Sequence, residues 1–316
     1  MIETRGLTKL YNGVPAVRQV DLRVSPGELC VLLGPSGCGK STLIRMLNAL
    51  ITPTAGDVFI NGVNIRDTAP ETLRRNIGYV VQSVGLFPHY TVSRNISVVM
   101  KLQRRPTAEI VERTAFLLDL IGLPQQYAGK YPHELSGGES QRVGVARALA
   151  ADPDILLMDE PFGSVDPLNR EHLQRSFADI QRTLKKTVLF VTHDVSEALA
   201  LADRIVLMQE GRIVREGTPR EMVFGKGDEF SKAFFGSEMA LKLLARYRVD
   251  QAYVPGVLSA ESGCSLSGNA PLSEALSLML VHGCVDILVK DGDKPAGSLS
   301  FESLLAYFRG GAPDAC

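Results

Sequence analysis

Residues 34–41, Gly34-Pro35-Ser36-Gly37-Cys38-Gly39-Lys40-Ser41, follow the GxxxxGK[ST] spacing that cradles phosphate. The glycines let backbone N–H groups turn inward around an anion. A helix starting at Lys40 adds the positive end of its dipole to the same point. Lys40 is placed to bridge β- and γ-phosphates, Ser41 to offer its hydroxyl to Mg²⁺, and Thr42 to add a phosphate hydrogen bond. A second group lies in Ile155-Leu156-Leu157-Met158-Asp159-Glu160, four apolar residues followed by two carboxylates. Asp159 at that position suits Mg²⁺, usually through water. Glu160 suits a base that takes a proton from an attacking water. Together the two groups say only that the chain reads as a nucleoside-triphosphate hydrolase using Mg²⁺.

Such residues must be positioned by strands and helices, and the pattern supplies them. Leu29–Leu33 is a continuous apolar run ending in Gly34, the mark of a strand buried on both faces. Further strands are expected at residues 57–60, 77–81, 155–158 and 188–191, with helices near 40–50, 138–150 and 168–185. Residues 91–127 read as helical, broken at Pro106 and Pro124. Strands alternating with helices predict an α/β domain with a largely parallel sheet. Carboxylates emerging at a strand's C-terminal end then sit where such sheets bind ligands. Glu210-Gly211 predicts a hairpin between strands 205–208 and 213–215.

Four further matches narrow the class. Leu135-Ser136-Gly137-Gly138-Glu139 resembles the signature motif of ATP-binding-cassette (ABC) ATPases, usually LSGGQ. The resemblance implies that Ser136, Gly137 and Gly138 cap the γ-phosphate held by a second copy, so that two chains sandwich two ATP molecules. Glu139 departs from the usual glutamine, and a carboxylate near triphosphate is expected to be slightly unfavourable there. Gln82 matches the family's Q-loop glutamine, which senses Mg²⁺ and water. Asp166, in Ser164-Val165-Asp166, matches the D-loop, and His193 the switch histidine that touches the γ-phosphate. Tyr11 stands where the family stacks an aromatic on adenine; an ordinary edge-strand tyrosine is the other reading. The resemblance covers about residues 1–235. It implies a P-loop NTPase domain with a helical signature subdomain.

The segment after Gln82, Ser83 to Thr91, is where the family docks a permease. Leu86, Phe87 and Tyr90 would form a groove for a permease helix, or Phe87 would simply anchor its own loop. The wording of residues 82–89 and 158–168 is similar to the importers of glycine betaine, choline and related quaternary amines. The resemblance further implies an external solute-binding protein and a place on the cytoplasmic face of the inner membrane, peripheral through the permease. Import of another solute, such as an amino acid or polyamine, and a soluble non-transport ABC ATPase remain as alternatives.

Composition bounds these readings. The chain has 316 residues, enough for about two domains. Its 34 basic and 35 acidic residues leave a net charge of -1, which argues against non-specific nucleic-acid binding. No apolar run approaches the roughly 20 residues of a membrane span. The five cysteines show no paired spacing and are expected to be reduced thiols. The expected divisions are an ATP-binding domain at 1–236, a helical linker at 237–256 and a small α+β segment at 257–316. The last resembles half of a cystathionine-β-synthase (CBS) type module. In its Ser300-Phe301-Glu302-Ser303 the family's ribose-binding Asp is missing, so the tail is expected to bind no adenine nucleotide.

Overall fold

The computed structural model describes all residues except 83–84, 164–166, 237–238, 257–263, 293 and 310–316. The chain forms two compact units, Met1–Thr218 and Pro219–Cys316.

The first unit opens with β1 (Ile2–Tyr11) and β2 (Val14–Val24), paired antiparallel. In β2, Val20, Leu22 and Val24 are buried and alternate with exposed polar residues, as period-2 patterning requires. β3 (Leu29–Leu33) is buried along its whole length and leads through the glycine loop to α1 (Lys40–Leu47). β4 (Ala55–Ile60) and β5 (Val63–Asn64) join β1 in a four-stranded antiparallel sheet. After α2 (Pro70–Arg75) and β6 (Ile77–Val80), the chain builds a helical layer. This comprises α3 (Val92–Leu102), α4 (Thr107–Leu120) and α5 (Gly137–Leu149), which pack on one another. Then come β7 (Ile155–Asp159), α6 (Pro167–Leu184), β8 (Thr187–Thr192), α7 (Val195–Leu201), β9 (Arg204–Gln209) and β10 (Arg212–Gly217).

The second sheet runs β10-β9-β3-β8-β7-β6. Its first five strands from β6 to β9 are parallel, and β10 closes it as an antiparallel edge. The expected hairpin is present. Glu210 and Gly211 both have positive φ, 46° and 80°, the conformation a tight two-residue turn demands. The strand order sets the site: β3, β8, β7 and β6 are neighbours, so the loops leaving their C-terminal ends emerge side by side.

The second unit begins earlier than residue 237. Helices α8 (Pro219–Phe224) and α9 (Glu229–Phe235) lie in it, followed by α10 (Met239–Leu243). The reason is packing that the linear pattern does not show. The Arg220 guanidinium donates to the carbonyls of Tyr307 (2.7 Å) and Phe308 (3.0 Å), and the Phe224 and Phe308 rings lie 5.3 Å apart. The unit's sheet consists of β11 (Val254–Pro255), β12 (Ser265–Ser267), β13 (Asp286–Asp291) and β14 (Lys294–Ser300), in the order β11-β14-β13-β12. α11 (Leu272–His282) connects β12 to the parallel β13, and α12 (Phe301–Arg309) ends the unit. Within the Ser-, Gly- and Ala-rich stretch 255–271, residues Ser265–Ser267 supply an edge strand.

That crossover also corrects the expectation of reduced thiols throughout. Cys264 precedes β12 and Cys284 precedes β13, and parallel pairing returns both to the same end of the sheet, where they are joined as a disulfide. Cys30 and Cys38 are free and buried, whereas Cys316 lies outside the described residues. Burial pushes the Cys30 thiol up to about 12, which makes it an inert core residue.

Candidate nucleotide-hydrolysis site

The phosphate loop leaves β3 with its glycines in conformations other residues rarely adopt: φ is 154° at Gly34, 80° at Gly37 and 109° at Gly39. Space is as tight as the backbone. A Cβ on Gly34 would meet the Met208 carbonyl oxygen at 2.3 Å, and one on Gly39 the Ala16 carbonyl oxygen at 2.3 Å. The loop is pinned from outside by the Gly211 N–H, which donates to the Cys38 carbonyl at 2.9 Å. Inside it, buried Lys40 donates through Nζ to the carbonyls of Gly34 (2.7 Å) and Pro35 (2.9 Å), with Cys38 Sγ at 3.7 Å. Those carbonyls hold the ammonium against the loop backbone. Ser41 and Thr42 follow in the first turn of α1, with Pro35 and Ser36 in the loop's outer arm.

From the neighbouring strands come the carboxylates. Asp159 is the last residue of β7 and is buried; its Oδ1 accepts the Ser41 hydroxyl at 3.0 Å. Burial pushes its carboxyl up, opposed by the Ser41 hydroxyl and by the Arg45 cation. Two hard oxygens at the mouth of a phosphate loop fit a magnesium ion, which keeps several waters and takes the rest of its shell from phosphate. Among the described residues no cluster of three or more His, Cys, Asp or Glu converges as a separate metal centre.

Glu160 has a positive φ of 47°. Along a strand successive side chains alternate faces. Asp159 reaches Ser41, while Glu160 reaches the loops that follow the two strands flanking β7, β6 and β8. The Gln82 amide donates to Glu160 Oε2 at 3.2 Å, and His193 Nδ1 lies 3.2 Å from Oε1. Strain at such a residue persists only where its surroundings enforce it. Here the Glu160 N–H donates to the Val191 carbonyl at 2.9 Å. Two residues on, buried Phe162 packs against Phe190 (5.6 Å) and Phe177 (6.3 Å). Lys40, Ser41, Gln82, Asp159, Glu160 and His193 are thus gathered at one edge of the sheet from four loops.

The loop carrying His193 has a support the sequence reading did not single out. Glu197, buried on α7, accepts the Thr192 hydroxyl at 2.6 Å and the Gln174 amide at 3.2 Å. The Asp194 N–H in turn donates to Thr192 Oγ1 at 3.0 Å. Burial pushes the Glu197 carboxyl up. Its signal was in the sequence, as Asp194-x-x-Glu197 ahead of an apolar run, a helix-start pattern.

Other expected residues stand apart from this cluster. Tyr11 ends β1, exposed, with the Lys9 ammonium 5.3 Å from its ring. Ser136 and Gly137 are exposed and Gly138 half-buried at the start of α5. Ser136 caps that helix. Its Oγ accepts the Glu139 N–H at 3.3 Å, while Glu139 Oε2 accepts the Ser136 N–H at 2.7 Å. The Glu139 carboxylate thus turns back into a reciprocal cap. Asp166 lies outside the described residues, as do Ser83 and Val84 of the docking segment. In the rest of that segment Phe87 is 41% exposed, so its ring does not anchor the loop. Asn95 does so, fully buried on α3. It accepts the Phe87 N–H at 2.8 Å and donates to the carbonyls of Phe87, Tyr90 and Thr91 at 3.1–3.2 Å. Phe87 and Tyr90 present adjacent rings 5.3 Å apart.

Comparison with known proteins agrees with this geometry. The pattern of the ABC transporter family matches residues 17–163. The osmoprotectant import ATP-binding protein OsmV of Salmonella typhimurium is 46% identical, over 94% of this chain and 78% of its own length. The glycine betaine uptake system ATP-binding protein YehX of Escherichia coli is 43% identical, over 96% of this chain and 99% of its own. Among solved structures, the dimeric cassette MJ0796, in a post-hydrolysis state with ADP and Pi, superposes with a TM-score of 0.63. It is 32% identical and covers 69% of this chain and 99% of its own. With its phosphate loop, its paired carboxylates and whole-length relatives of this kind, the chain belongs to the ATP-binding subunits of ABC transporters.

Proposed function

We propose that this chain energises an ABC importer of osmoprotectants such as glycine betaine, choline or related quaternary amines by hydrolysing ATP on the cytoplasmic face of the inner membrane. The observation that carries the ATPase chemistry is the convergence of Lys40, Ser41, Asp159, Gln82, Glu160 and His193 at one sheet edge. The solute class is supported by relatives such as OsmV and YehX, which match along nearly the whole chain. No helix of the described residues is long and apolar enough to cross a membrane. In this reading a permease docked on the segment Ser83 to Thr91 carries the solute, which an external binding protein delivers.

The residues divide the chemistry among them. Backbone N–H groups of residues 36–40 and the Lys40 ammonium hold the β- and γ-phosphates, with Thr42 beside them. Tyr11 offers its exposed ring to adenine. Ser41, Asp159 and Gln82 would hold Mg²⁺, which would supply positive charge to offset that on the phosphate oxygens. Glu160 accepts the proton of the water whose oxygen attacks the γ-phosphorus as the bond to the β-phosphate oxygen breaks, giving ADP and phosphate. His193 holds the γ-phosphate against that water. The remaining side of the nucleotide is closed by Ser136, Gly137 and Gly138 of a second copy. Exposure of Ser136 and Gly137 in the single chain supports this sharing. The tail is a CBS-like element that pairs or gates and does not bind adenine nucleotide.

The test is hydrolysis by the complete transporter, reconstituted with its permease and binding protein and challenged with a solute panel. Glycine betaine and choline should stimulate hydrolysis. A response confined to putrescine or to amino acids would replace the solute class and leave the ATPase chemistry standing.

A further inference from the structure

Glu139 does more than end a helix. Its two carboxylate oxygens have different partners: Oε2 accepts the Ser136 N–H at 2.7 Å, and Oε1 accepts the Tyr127 hydroxyl at 3.0 Å. Tyr127 belongs to a one-turn helix, Gln125–Gly129, that is fixed at both sides. The Gln125 amide donates to the Ala115 carbonyl (2.8 Å) and to Asp119 Oδ1 (2.6 Å), both on α4. The Lys130 carbonyl accepts the Val92 N–H at 2.8 Å, at the first residue of α3. The Lys130 ammonium sits 3.5 Å from the centre of the Tyr127 ring, a close cation–π contact. Accepting the Ser136 N–H keeps the Glu139 carboxyl below the usual carboxylate range.

We propose that Tyr127 and Glu139 are positioning residues for the shared ATP site, fixing Ser136 and offsetting the Glu139 charge toward the nucleotide bound by the second copy. The inference rests on the shared-site reading above. The chemistry of the cap supports it. Ser136 Oγ spends a lone pair on the Glu139 N–H, so its proton is the part left to donate to a phosphate oxygen. Both carboxylate oxygens are engaged by donors, Oε2 by the Ser136 N–H and Oε1 by the Tyr127 hydroxyl of the Gln125–Gly129 turn, which offsets the negative charge before a triphosphate approaches. Glutamine at 139 offers one acceptor and one donor group. It can still receive the Ser136 N–H and donate to the Tyr127 oxygen, whereas alanine can do neither.

The experiment uses the full chain with Glu160→Gln, which retains ATP, and reads ATP-driven dimerisation by sedimentation. Tyr127→Phe and Glu139→Ala are each added, with Glu139→Gln as the conservative control. Loss of a hydrogen bond to a charged group should raise the ATP concentration for half-dimerisation by about tenfold or more. Glu139→Gln should recover most of that loss. ADP affinity, read on the single chain, should stay at the parental value, since neither residue touches the phosphate loop. Parental dimerisation in Tyr127→Phe, or an equal loss of ADP affinity, would overturn the positioning role, as would a Glu139→Ala whose only change is a lower melting temperature. Failure of the Glu160→Gln chain itself to dimerise would instead strike the shared-site reading and take this inference with it.

Discussion

Lys40 and Glu160 carry separable jobs, and substitution should separate them. Lys40→Ala removes charge-assisted bonds to phosphate, each worth about 1.5–3 kcal/mol. Calorimetry should show ATP affinity falling by at least about tenfold, with hydrolysis lost. Glu160→Gln keeps the size of the side chain and its contact with Gln82, so ATP affinity should change little. Hydrolysis should fall by about 10²–10⁴, the usual worth of a general base. A Glu160→Gln chain that still turned over at the parental rate would move the base elsewhere. At this scale most of the site was legible, because each functional residue sits beside a local marker: glycine spacing for Lys40, an apolar run for Asp159 and Glu160, strand ends for Gln82 and His193. The use of Glu139 was not legible. Its partner Tyr127 is twelve residues away on another element, and only packing brings the hydroxyl to the carboxylate.

Among the elements, the docking segment offers the sharpest test. Asn95 satisfies three carbonyls and one N–H of residues 87–91 from full burial, and Arg147 on α5 donates to the Gly85 carbonyl at 2.7 Å. Asn95→Ala removes this partner from the Phe87 N–H and the Tyr90 carbonyl, while the Phe87 and Thr91 carbonyls keep the backbone N–H groups of Tyr90 and residue 95. It should destabilise the protein by about 1–3 kcal/mol, read as a lower melting temperature. Phe87→Ala should leave ATP hydrolysis by the free chain unchanged and weaken its stimulation by the permease complex; normal solute uptake by that variant would remove the docking role. In the tail, Ser303 is already committed. Its N–H donates to Ser300 Oγ at 3.0 Å, and its Oγ accepts the Ser300 N–H at 2.9 Å, closing the start of α12. Titrating AMP into the Lys40→Ala chain should therefore give no binding heat, and tight binding would show that the tail takes nucleotide after all. The buried parallel strands of the first unit were readable because they are near-continuous apolar runs, whereas short elements such as α2 and α7 were not. β12 was not, since three residues of Ser-Leu-Ser carry no period to read.

For the molecule as a whole, what escaped the sequence was long-range. The place where the first unit ends depends on α8 packing against α12, some 80 residues on. The Cys264–Cys284 pairing depends on a crossover that no cysteine spacing encodes. The tail also shows Leu280, Val281 and Val285 about three-quarters exposed, an apolar patch consistent with the proposed pairing. The central claim is that the hydrolytic site is completed only between two copies, because Ser136 lies on an element that, in one chain, bonds to Glu139 and not to the phosphate loop. Sedimentation of the Glu160→Gln chain with nucleotide content measured in the same sample tests it most directly. The account predicts a single chain without nucleotide and, with ATP, a dimer holding two ATP molecules. A stable single chain with ATP bound, at protein concentrations where the dimer should form, would contradict it.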